Sequence, residues 1–426
     1  MTAPSPPTGP HTSTRPLRVA LLGLGTVGRE VARGLLRRDV HARSVSGREV
    51  RLVAVADRDP SRLEDLDLAG IECVDDGARL IGDAEIDVVV ELIGGVEGAG
   101  RLVSAALEAG HSVVTANKAL LARRGAELEA LARDQEVALR FEAAVGGGIP
   151  VLSPIASDLA ADRIASIRGI VSGSTNFVLT EMASGSASYD DAIARAKALG
   201  YLEADPARDV EGWDAADKLA ILVRLAFGCW PDVAGIRRSP PRAGDDASRG
   251  ADAEPGIGSV TQPLVAAAHT AGYAVKLVAS TELVDPGVVG AFVLPAAVAL
   301  DDPLASTAGP ENRIDVVADP VGAVSFVGPG AGGAATSSAV LGDVLAIARG
   351  QGSTWAGLPE AVALAPDRLV DGLDVPRRWL AFTPAAGGAT AAAGLVGPAS
   401  LSDARRELAS APGAILFPVV EANRCG

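Results

Sequence analysis

Short apolar runs alternate with helix-like segments over the first part of the chain. The predicted strands are LRVALLGLG from Leu17, VRLVAVAD, DVVVELIGG, HSVVTANK and VALRFEAAV. Helical periodicity fills the segments between them, including REVARGLLRR and the stretches near 98–109 and 119–133. Nearly continuous Val, Ile and Leu runs separated by helices predict a parallel sheet covered on both faces. We therefore predict an α/β fold, with a doubly wound parallel sheet over residues 17–150.

The pattern changes after residue 150. Residues 151–320 mix helical and strand-like stretches, which predicts an α+β domain. The helical stretches are 190–199, 213–227 and 262–272, and the strand-like ones are 164–171, 274–281, 289–294 and 313–318. We expect residues 321–349 to return to the first domain. Residues 350–426 then form a short C-terminal extension, in which RRWLAF and GAILFPVV are strands that flank a short helix.

Composition limits the class of protein and its partners. The formal net charge of −15 argues against nucleic acid or an anionic membrane as a partner. The three cysteines lack metal or redox spacing, so we expect a reducing, cytoplasmic location. Residues 1–16 predict a disordered leader, and the charged, Pro- and Gly-rich segment 237–256 predicts an exposed, mobile loop. No apolar run is long enough to span a membrane.

The stretch GLGTVG follows the first predicted strand and opens a helix, which is the pattern of a dinucleotide-binding turn. Gly23 suits the tight turn, Gly25 a close approach of pyrophosphate, and Gly28 close packing of helix on strand. The phosphates would bind N–H groups at the helix N-terminus, where Thr26 and Val27 also lie. An ordinary strand–helix turn is the alternative. We predict a Rossmann-type domain that binds NAD or NADP.

The end of the second predicted strand bears on the choice of cofactor. Asp57 would accept hydrogen bonds from the adenosine ribose hydroxyls, which favours NAD. The neighbouring Arg58 is suited instead to the 2′-phosphate of NADP. The two residues leave the preference open, with a lean towards NAD.

Lys118 follows Asn117 just past the carboxyl end of a predicted parallel strand, where open α/β sheets bind their ligands. Lys118 is the only charge in its immediate neighbourhood, and a lysine there would meet the substrate or the nicotinamide. In a dry site its pKa would fall towards a range useful for proton transfer. The alternative is a solvated surface lysine.

The stretch FEAAVGGGIP places Glu142 before three consecutive glycines. Such a turn leaves backbone carbonyls free to hold a monovalent cation together with one carboxylate. A glycine hinge between domains is an equally good explanation, and the two are compatible.

Residues 200–218, GYLEADPARDVEGWDAADK, hold six carboxylates and end on Lys218. The run is a solvated acidic loop, a cation site, or a pocket for a positively charged substrate. From Trp213 the segment looks helical, which puts Asp214 and Lys218 at i and i+4 on one face. An exposed helical ion pair is the alternative for these two residues.

Taken in order along the chain, the motifs resemble those of homoserine dehydrogenases. The motifs are GLGTVG, TANKAL, EAAVGGGIP, GIVSGSTNFVLTEM, LGYLEADPARDVEGWDAADKLAIL and FVGPGAGGAATSSAVLGD. The resemblance runs from about residue 17 to 349. The resemblance implies a Rossmann domain, a dimerising α+β substrate domain and a homodimer. It also implies NAD(P)-dependent interconversion of L-homoserine and L-aspartate semialdehyde, within threonine and methionine synthesis.

The resemblance also assigns roles residue by residue. It implies that Lys118 and Lys218 are the active-site lysines, with Lys218 as the proton donor and acceptor. It implies that the carboxylates around the substrate are Glu203, Asp209 and Asp214. It implies that the cofactor is also lined by Lys118, Gly200 and Gly332. A cation such as sodium would be held by Glu142, Val145, Gly147 and Ile149. The other acids of the run, Asp205, Glu211 and Asp217, are expected to be solvated or helix-capping.

Two positions depart from the family pattern. Ser172 stands where Asn is usual, and Asp302 stands where His is common. The competing functions are a Rossmann oxidoreductase of another small amino acid or aldehyde, and a non-catalytic NAD(P)-binding regulator. The second would be expected to lack one of Lys118, Lys218, Glu203 or Asp214, and the sequence retains all four.

Overall fold

The computed structural model describes residues 15–37, 47–185, 187–203, 205–239, 256–365, 368–384, 390–411 and 413–421. The predicted leader, residues 1–16, lies outside the described residues apart from its last two positions. The predicted loop at 237–256 also lies outside them, apart from its ends. Both therefore stay predictions.

The first domain is built on a six-stranded parallel sheet. Its strands are β1 (Leu17–Leu22), β2 (Val50–Ala56), β3 (Glu72–Val74), β4 (Val88–Glu91), β5 (Ser112–Thr115) and β6 (Leu139–Arg140). Its helices are α1 (Thr26–Leu36), α2 (Ala78–Ile81), α3 (Glu97–Glu108) and α4 (Lys118–Asp134). The strand order is β3-β2-β1-β4-β5-β6. This order confirms the doubly wound prediction, and its reversal between β1 and β4 opens a crevice at their carboxyl ends.

A second sheet forms the core of the next region. In chain order its elements are α5 (Leu152–Ala156), β7 (Arg163–Ile170), α6 (Gly173–Ala183), α7 (Tyr189–Ala198), α8 (Ala207–Val210), α9 (Trp213–Phe227), β8 (Cys229–Trp230), α10 (Gln262–Thr270), β9 (Tyr273–Asp285), β10 (Val288–Ala299), α11 (Pro303–Ser306), β11 (Glu311–Asp319) and β12 (Gly322–Pro329). The strand order is β12-β11-β7-β9-β10 followed by a strand from the C-terminal part, β14 (Leu369–Asp371), and the first five strands are antiparallel. Helix α9 packs against this sheet and against α4, and every residue from Ala215 to Leu225 is buried.

The chain then returns to the first domain and ends in a small third unit. Its elements are α12 (Gly333–Ala348), β13 (Val362–Ala363), β14 (Leu369–Asp371), β15 (Arg377–Pro384), β16 (Thr390–Ala399), α13 (Leu401–Glu407) and β17 (Ile415–Pro418). Helix α12 packs on α1 so closely that a methyl group at Gly34 would meet Leu341 at 2.6 Å. Strands β15 to β17 form an antiparallel sheet whose Trp379 packs against Phe292 and Leu294 of the second domain.

Several predicted boundaries need correction. The second sheet continues to Pro329, beyond the expected domain end at residue 320, because β12 pairs with β11 along its length. The last strand of the first domain stops at Arg140, since Glu142–Ala144 turn into a 3-10 helix. Helix α6 and strands β12 and β16 were absent from the sequence prediction.

Asp302, one of the departures from the family pattern, has a defined role in the second domain. Its carboxylate accepts two hydrogen bonds from the Arg168 guanidinium, at 2.8 and 3.0 Å, and caps α11 through the N–H of Leu304. Because this arrangement is bidentate and buried, Asp302 fixes α11 against β7. Among the described residues, no helix is long and apolar enough to cross a membrane.

Candidate active site

The glycine-rich turn joins β1 to α1 at the crevice of the first sheet. A Cβ atom at Gly23 would lie 2.7 Å from the carbonyl oxygen of Leu92, and one at Gly28 would lie 1.9 Å from that of Gly23. Nothing lies within 4 Å of a Cβ atom built at Gly25. Two glycines therefore permit close packing of the protein on itself, while Gly25 faces open space. A pyrophosphate approaching the backbone needs this arrangement.

Two helix N-termini meet beside this turn. Helix α1 begins at Thr26, so the N–H groups of Thr26 and Val27 have no acceptor within the helix. Gly332 is the residue that precedes α12, and a Cβ atom at Gly333 would lie 3.1 Å from Thr26. The two positively polarised helix ends suit the phosphates of a dinucleotide. Gly332 thus lies where the sequence analysis expected it, near the cofactor turn.

Asp57 lies at the end of β2 and supports the same turn. Its carboxylate accepts hydrogen bonds from the N–H groups of Leu24, at 2.6 Å, and Asp59, at 2.9 Å, and lies 3.3 Å from Arg62. Burial alone would raise the pKa of Asp57, but these donors outweigh it and lower the pKa. Arg58 is exposed. The carboxylate is thus ionised and fixed in place beside the dinucleotide turn.

Lys118 is the first residue of α4 and follows directly on the carboxyl end of β5, as predicted. Asn117 caps this helix by accepting a hydrogen bond from the N–H of Leu120, and its amide donates to the carbonyl of Gly95 at 2.6 Å. The cap ties the start of α4 to the loop that follows β4. Lys118 is therefore held at the crevice by the helix it begins.

Glu91, which the sequence analysis did not single out, organises the loop after β4. It is fully buried at the end of that strand. Its carboxylate accepts hydrogen bonds from the N–H groups of Ile93 and Gly94, at 2.8 and 2.9 Å, and from the hydroxyl of Thr115 at 2.6 Å. A charged residue at the end of an apolar strand was the only signal that could have found it.

The centre of the site is a carboxylate held between two lysines. Asp214 Oδ1 lies 3.0 Å from Lys118 Nζ, and Asp214 Oδ2 accepts a hydrogen bond from Lys218 Nζ at 2.7 Å. Lys218 also donates to the carbonyl oxygen of Val171 at 2.6 Å. The predicted i to i+4 pair on α9 is confirmed, but it is part of a half-buried group of three charges and not an exposed ion pair. The group also joins the two domains, since Lys118 belongs to the first and the rest to the second.

The charges of Lys118, Asp214 and Lys218 shift one another's environment so that the Asp214 and Lys118 pKa values move away from neutrality. The charge of Asp214 raises the pKa of Lys118 and outweighs the effect of its burial. Burial alone would raise the pKa of Asp214, but the two lysines more than compensate and lower it. The expectation that a dry site would lower the pKa of Lys118 is therefore wrong, because the sequence does not reveal that a carboxylate faces it. Lys118 stays a cation.

Asp209 lies next to this group on α8. Its carboxylate accepts a hydrogen bond from the Ser174 hydroxyl at 3.1 Å, and the Ser174 oxygen lies 3.1 Å from that of Ser172. Burial and the nearby charge of Asp214 raise the pKa of Asp209. Ser172 and Ser174 thus form a hydroxyl chain behind the carboxylate, and among the described residues no side chain forms an ion pair with Asp209.

Two other predicted residues lie further out. Glu203 is exposed on the loop between α7 and α8, and no hydrogen bond or ion pair joins it to the group around Asp214 in the described part of the chain. Gly200 is exposed where α7 ends. The structure thus brings together Lys118, Asp209, Asp214 and Lys218, and leaves Glu203 and Gly200 on the adjoining loop.

The remaining acids of the run differ from one another. Asp205 is exposed and accepts a hydrogen bond from the N–H of Ala207, which fits the turn expected before Pro206. Asp217 was expected to be solvated or capping, and this is wrong. Its side chain is 0% exposed and forms ion pairs with Arg123 at 3.0 Å and Arg208 at 2.6 Å. The mostly apolar pattern from Trp213 onwards indicated a buried helix, but not which cations would meet an acid on it.

The carboxylate of Glu142 caps a helix. One oxygen accepts hydrogen bonds from the N–H groups of Val151 and Leu152, both at 2.7 Å, and the other from the N–H and hydroxyl of Ser153. Four donors therefore fill the carboxylate, and we correct the prediction that this side chain is a cation ligand. A cation at this turn would be held by backbone carbonyls, such as those of Val145, Gly147 and Ile149, and not by the Glu142 side chain.

The glycine triplet itself packs against the returning chain. A Cβ atom at Gly147 would lie 2.6 Å from the carbonyl oxygen of Gly330, and one at Gly148 would lie 2.9 Å from that of Ala335. This close approach accounts for the glycines without a cation. Among the described residues there is also no cluster of three or more His, Cys, Asp or Glu side chains that could hold a metal.

A second carboxylate held between two cations lies further along the same pair of helices. Glu129 of α4 is 1% exposed, and its carboxylate accepts hydrogen bonds from Arg224 of α9, Arg133 of α4 and the indole of Trp230. Burial alone would raise the pKa of Glu129, but the two arginines and Trp230 outweigh it and lower the pKa. The Glu129 carboxylate is buried, and Glu129 and Arg224 lie about three and two helical turns beyond Lys118 and Lys218 on the same two helices.

Proteins that bring an ionisable lysine to the carboxyl edge of a dinucleotide-binding sheet are typically nicotinamide-dependent dehydrogenases, and the fold and site define this class. The homoserine dehydrogenase family model matches residues 150–345, and the model of the homoserine dehydrogenase NAD-binding domain matches residues 23–142. The chain belongs to the homoserine dehydrogenase family. It is an NAD(P)-dependent oxidoreductase.

Individual relatives agree with this assignment. The homoserine dehydrogenase of Corynebacterium glutamicum is 42% identical over 357 residues, which cover 80% of this chain and 76% of that relative. That of Mycobacterium tuberculosis is 41% identical over 341 residues, which cover 79% and 73%. The crystal structure of a Thiobacillus denitrificans homoserine dehydrogenase has a TM-score of 0.81 at 30% identity and covers 97% of this chain and 100% of that chain. A hyperthermophilic archaeal homoserine dehydrogenase in complex with NADPH has a TM-score of 0.63 at 26% identity, covering 82% and 100%.

Proposed function

We propose that this protein interconverts L-homoserine and L-aspartate 4-semialdehyde with NAD or NADP, in threonine and methionine biosynthesis. The observation that carries the proposal is the placement of Asp214 between Lys118 and Lys218 at the crevice of the dinucleotide-binding sheet. The group gives a proton-exchanging lysine beside the cofactor turn, and carboxylates for an amino-acid substrate.

The substrate carries an ammonium, a carboxylate and a primary alcohol, and the site offers a partner for each. Asp209, which forms no ion pair within the described part of the chain, and Glu203 on the preceding loop are suited to the ammonium. Lys118 stays positively charged because of Asp214, which suits it to an anionic or polarised oxygen of the substrate. Lys218 is left for the alcohol.

Lys218 is the proposed acid and base. In oxidation its amine takes the proton of the substrate hydroxyl, and in reduction its ammonium returns that proton to the developing alkoxide. NAD(P), when bound, accepts the hydride in one direction and supplies it in the other. Asp214 and the carbonyl of Val171 accept hydrogen bonds from Nζ and hold it in one orientation. We assign Asp214 to this positioning of both lysines in addition to the substrate contact expected from the sequence.

The proposed cofactor site uses the glycine-rich turn and its neighbours. Gly25 leaves space for the pyrophosphate, and the helix ends at Thr26 and Gly332 supply N–H groups. Asp57, ionised and fixed beside the turn, supports NAD, while the exposed Arg58 is available for a 2′-phosphate. We retain the lean towards NAD.

Two further features of the proposed enzyme are less directly supported. A sodium ion at the glycine triplet would be held by the carbonyls of Val145, Gly147 and Ile149, without the side chain of Glu142. A homodimer is supported by Val321 and Val327, about half exposed at the edge of the second sheet. Sedimentation velocity of the purified chain tests the second feature.

Initial rates with homoserine test the proposed reaction. NAD or NADP reduction is expected with L-homoserine, and on the order of a hundredfold less or none with 4-hydroxybutyrate, which lacks the ammonium. L-2-aminobutyrate, which lacks the alcohol, is the blank. Absence of homoserine-dependent reduction with both cofactors would contradict the proposal. It would favour a dehydrogenase of another small substrate or a non-catalytic regulator.

A further inference from the structure

The buried acid Asp217 is placed to act on the site without touching it. It precedes Lys218 on α9, and consecutive helix positions point about 100° apart, so the two side chains leave the helix in different directions. Its oxygens are divided between two arginines, with Arg123 Nη1 on Oδ1 at 3.0 Å and Arg208 Nη2 on Oδ2 at 2.6 Å. One carboxylate therefore joins α9 to two other helices.

Each of these two helices carries a residue of the proposed site. Arg208 lies on α8 immediately before Asp209, the acid assigned to the substrate ammonium. Arg123 lies on α4, the helix that Lys118 begins. Asp217 thus connects the three helices that supply Lys118, Asp209 and the pair of Asp214 and Lys218.

The ion pair with Arg123 is also part of a regular series between α4 and α9. Moving along both helices from the crevice, the pairs are Lys118–Asp214, Arg123–Asp217 and Glu129–Arg224. Residue numbers rise together on both helices, so the helices run in the same direction where they touch. The middle pair is the one that also holds α8.

Stability alone is a poor explanation for Asp217. A buried ion pair is often no more stabilising than well-packed apolar residues of similar volume, and a role in fixing register is its better attested use. Burial raises the pKa of Asp217 although two arginines oppose this, so the protein accepts a cost in desolvation to place a charge there. Helix α8 has only four residues, from Ala207 to Val210, and its ion pair to Asp217 adds to the Ser174–Asp209 hydrogen bond in holding it in place.

We propose that Asp217 is a positioning residue, which through Arg208 fixes α8 and so sets the position of Asp209 against the Asp214–Lys218 pair. This inference rests on the proposed function, because Asp209 is the partner assigned to the substrate ammonium. Asp217 acts through another side chain and contacts neither substrate nor cofactor.

Steady-state kinetics of two variants test the inference. Asp217→Asn keeps the volume and removes the charge, and Arg208→Met removes the link from the other side. Arg208 has a side chain that is 57% exposed, so the fold is expected to survive its replacement even where Asp217→Asn does not accumulate. Asp205→Asn, an exposed acid of the same segment that caps a turn, is the matched control.

Both variants are expected to raise KM for homoserine on the order of tenfold, with KM for the cofactor within about twofold of wild type. The double variant is expected to match the single ones, because both remove the same link. Arg208→Lys, which keeps the charge, is expected to restore most of the loss. Asp205→Asn is expected to leave both KM values unchanged.

Two results would overturn the inference. An active wild type whose variants melt at lower temperature but keep the wild-type KM for homoserine would assign Asp217 a structural role alone. A KM that rises for homoserine and cofactor together would show a general disturbance of the site. Loss of the proposed function has a different signature, since the wild-type protein itself would then fail to oxidise homoserine.

Discussion

Helices α4 and α9 each contribute to two groups of the same form, in which a carboxylate lies between two cations. At the crevice, Asp214 lies between Lys118 and Lys218; at the other end, Glu129 lies between Arg133 and Arg224. Both carboxylates have lowered pKa values for the same reason, since neighbouring cations outweigh burial. The electrostatic arrangement is shared, and the identity of the cations differs.

The choice of lysine or arginine suits the role proposed for each end of the helix pair. Arginine is always charged and offers a rigid fork of donors, which suits a fixed ion pair in a dry interior. Lysine is a single point charge that can give up a proton when its surroundings favour this. Asp214 has a side chain that is 16% exposed, while that of Glu129 is 1% exposed. Asp214 is thus the more exposed of the two carboxylates, although each group includes one cation that is about a third exposed, Lys118 at 35% and Arg133 at 31%.

In the proposed function the crevice group exchanges a proton through Lys218, whereas the group around Glu129 keeps its charges. We expect substitutions at the crevice to affect turnover with little effect on folding, and substitutions at the other end to do the reverse.

Replacement of Lys218 is expected to have the largest effect. Lys218→Met keeps most of the volume but removes the proposed acid and base, so kcat is expected to fall by roughly 10²- to 10⁴-fold. Cofactor affinity and melting temperature are expected to stay close to wild type, because Lys118 still neutralises Asp214. Steady-state rates, cofactor titration by fluorescence and thermal melting measure the three quantities. Lys218→Arg, which keeps a charge that does not titrate, is the matched control and is expected to be nearly as inactive.

Replacement of Arg224 is expected to have the largest effect on folding. Arg224 is fully buried, and Arg224→Met leaves the Glu129 carboxylate with Arg133 and Trp230 alone. Removal of one partner of a buried ion pair costs about 3–5 kcal/mol of the free energy of unfolding. Denaturant unfolding measures this, and kcat per folded molecule is expected to be unchanged. Arg133→Met, where the arginine is 31% exposed, should cost less, and an equal loss would show that the two arginines are not distinct.

The elements that carry the two groups could be predicted from the sequence. The ion pairs between them could not, because their partners are distant along the chain. The sheet, the dinucleotide turn, Lys118 at a strand end and the Asp214–Lys218 spacing all follow from local periodicity, which sequence patterns report well. One partner of each buried acid is distant along the chain: Arg123 lies 94 residues from Asp217, and Arg224 lies 95 residues from Glu129. Arg123 and Arg224 meet their acids only once two domains have packed together.

The residues whose roles were predicted wrongly also have partners that the sequence does not reveal. Asp217 looked solvated because acids usually are, and Glu142 looked like a cation ligand because its helix-capping partners lie nine to eleven residues further on. The raised pKa of Lys118 depends on a carboxylate from the other domain. Short-range patterns predict which side chains are present at an edge, but they do not predict which charges face one another there.

The pH dependence of stability provides a smaller test. Because the folded-state pKa of Glu129 is lowered, its contribution to stability is present above the unfolded pKa and is lost as the pH falls through the folded one. The free energy of unfolding of Glu129→Gln is therefore expected to converge with that of wild type as the solution is acidified below the usual range for glutamate. Denaturant unfolding at a series of acidic pH values measures this. A constant difference at all pH values would show that the charge of Glu129 is not responsible.

The smallest effects are expected from substitutions that change the preference for NAD or NADP. Asp57→Asn removes the charge that favours ribose hydroxyls while its amide can keep a bond to the turn, so the ratio of kcat/KM for NAD over NADP is expected to fall about tenfold. Arg58→Gln is the counterpart, and it should lower kcat/KM for NADP with little effect on NAD. Initial rates with both cofactors measure these ratios. No change in the ratio for either variant would place the preference elsewhere in the crevice.

The most direct test of the two ends is the rate of hydride transfer at saturating homoserine, followed by nicotinamide absorbance in a stopped-flow instrument. Lys218→Met and Arg224→Met should be compared under conditions where both are folded. The rate of hydride transfer is expected to fall at least about a hundredfold in Lys218→Met and to stay within about twofold of wild type in Arg224→Met. Similar rates for the two variants would contradict the division between a proton-exchanging end and a structural end.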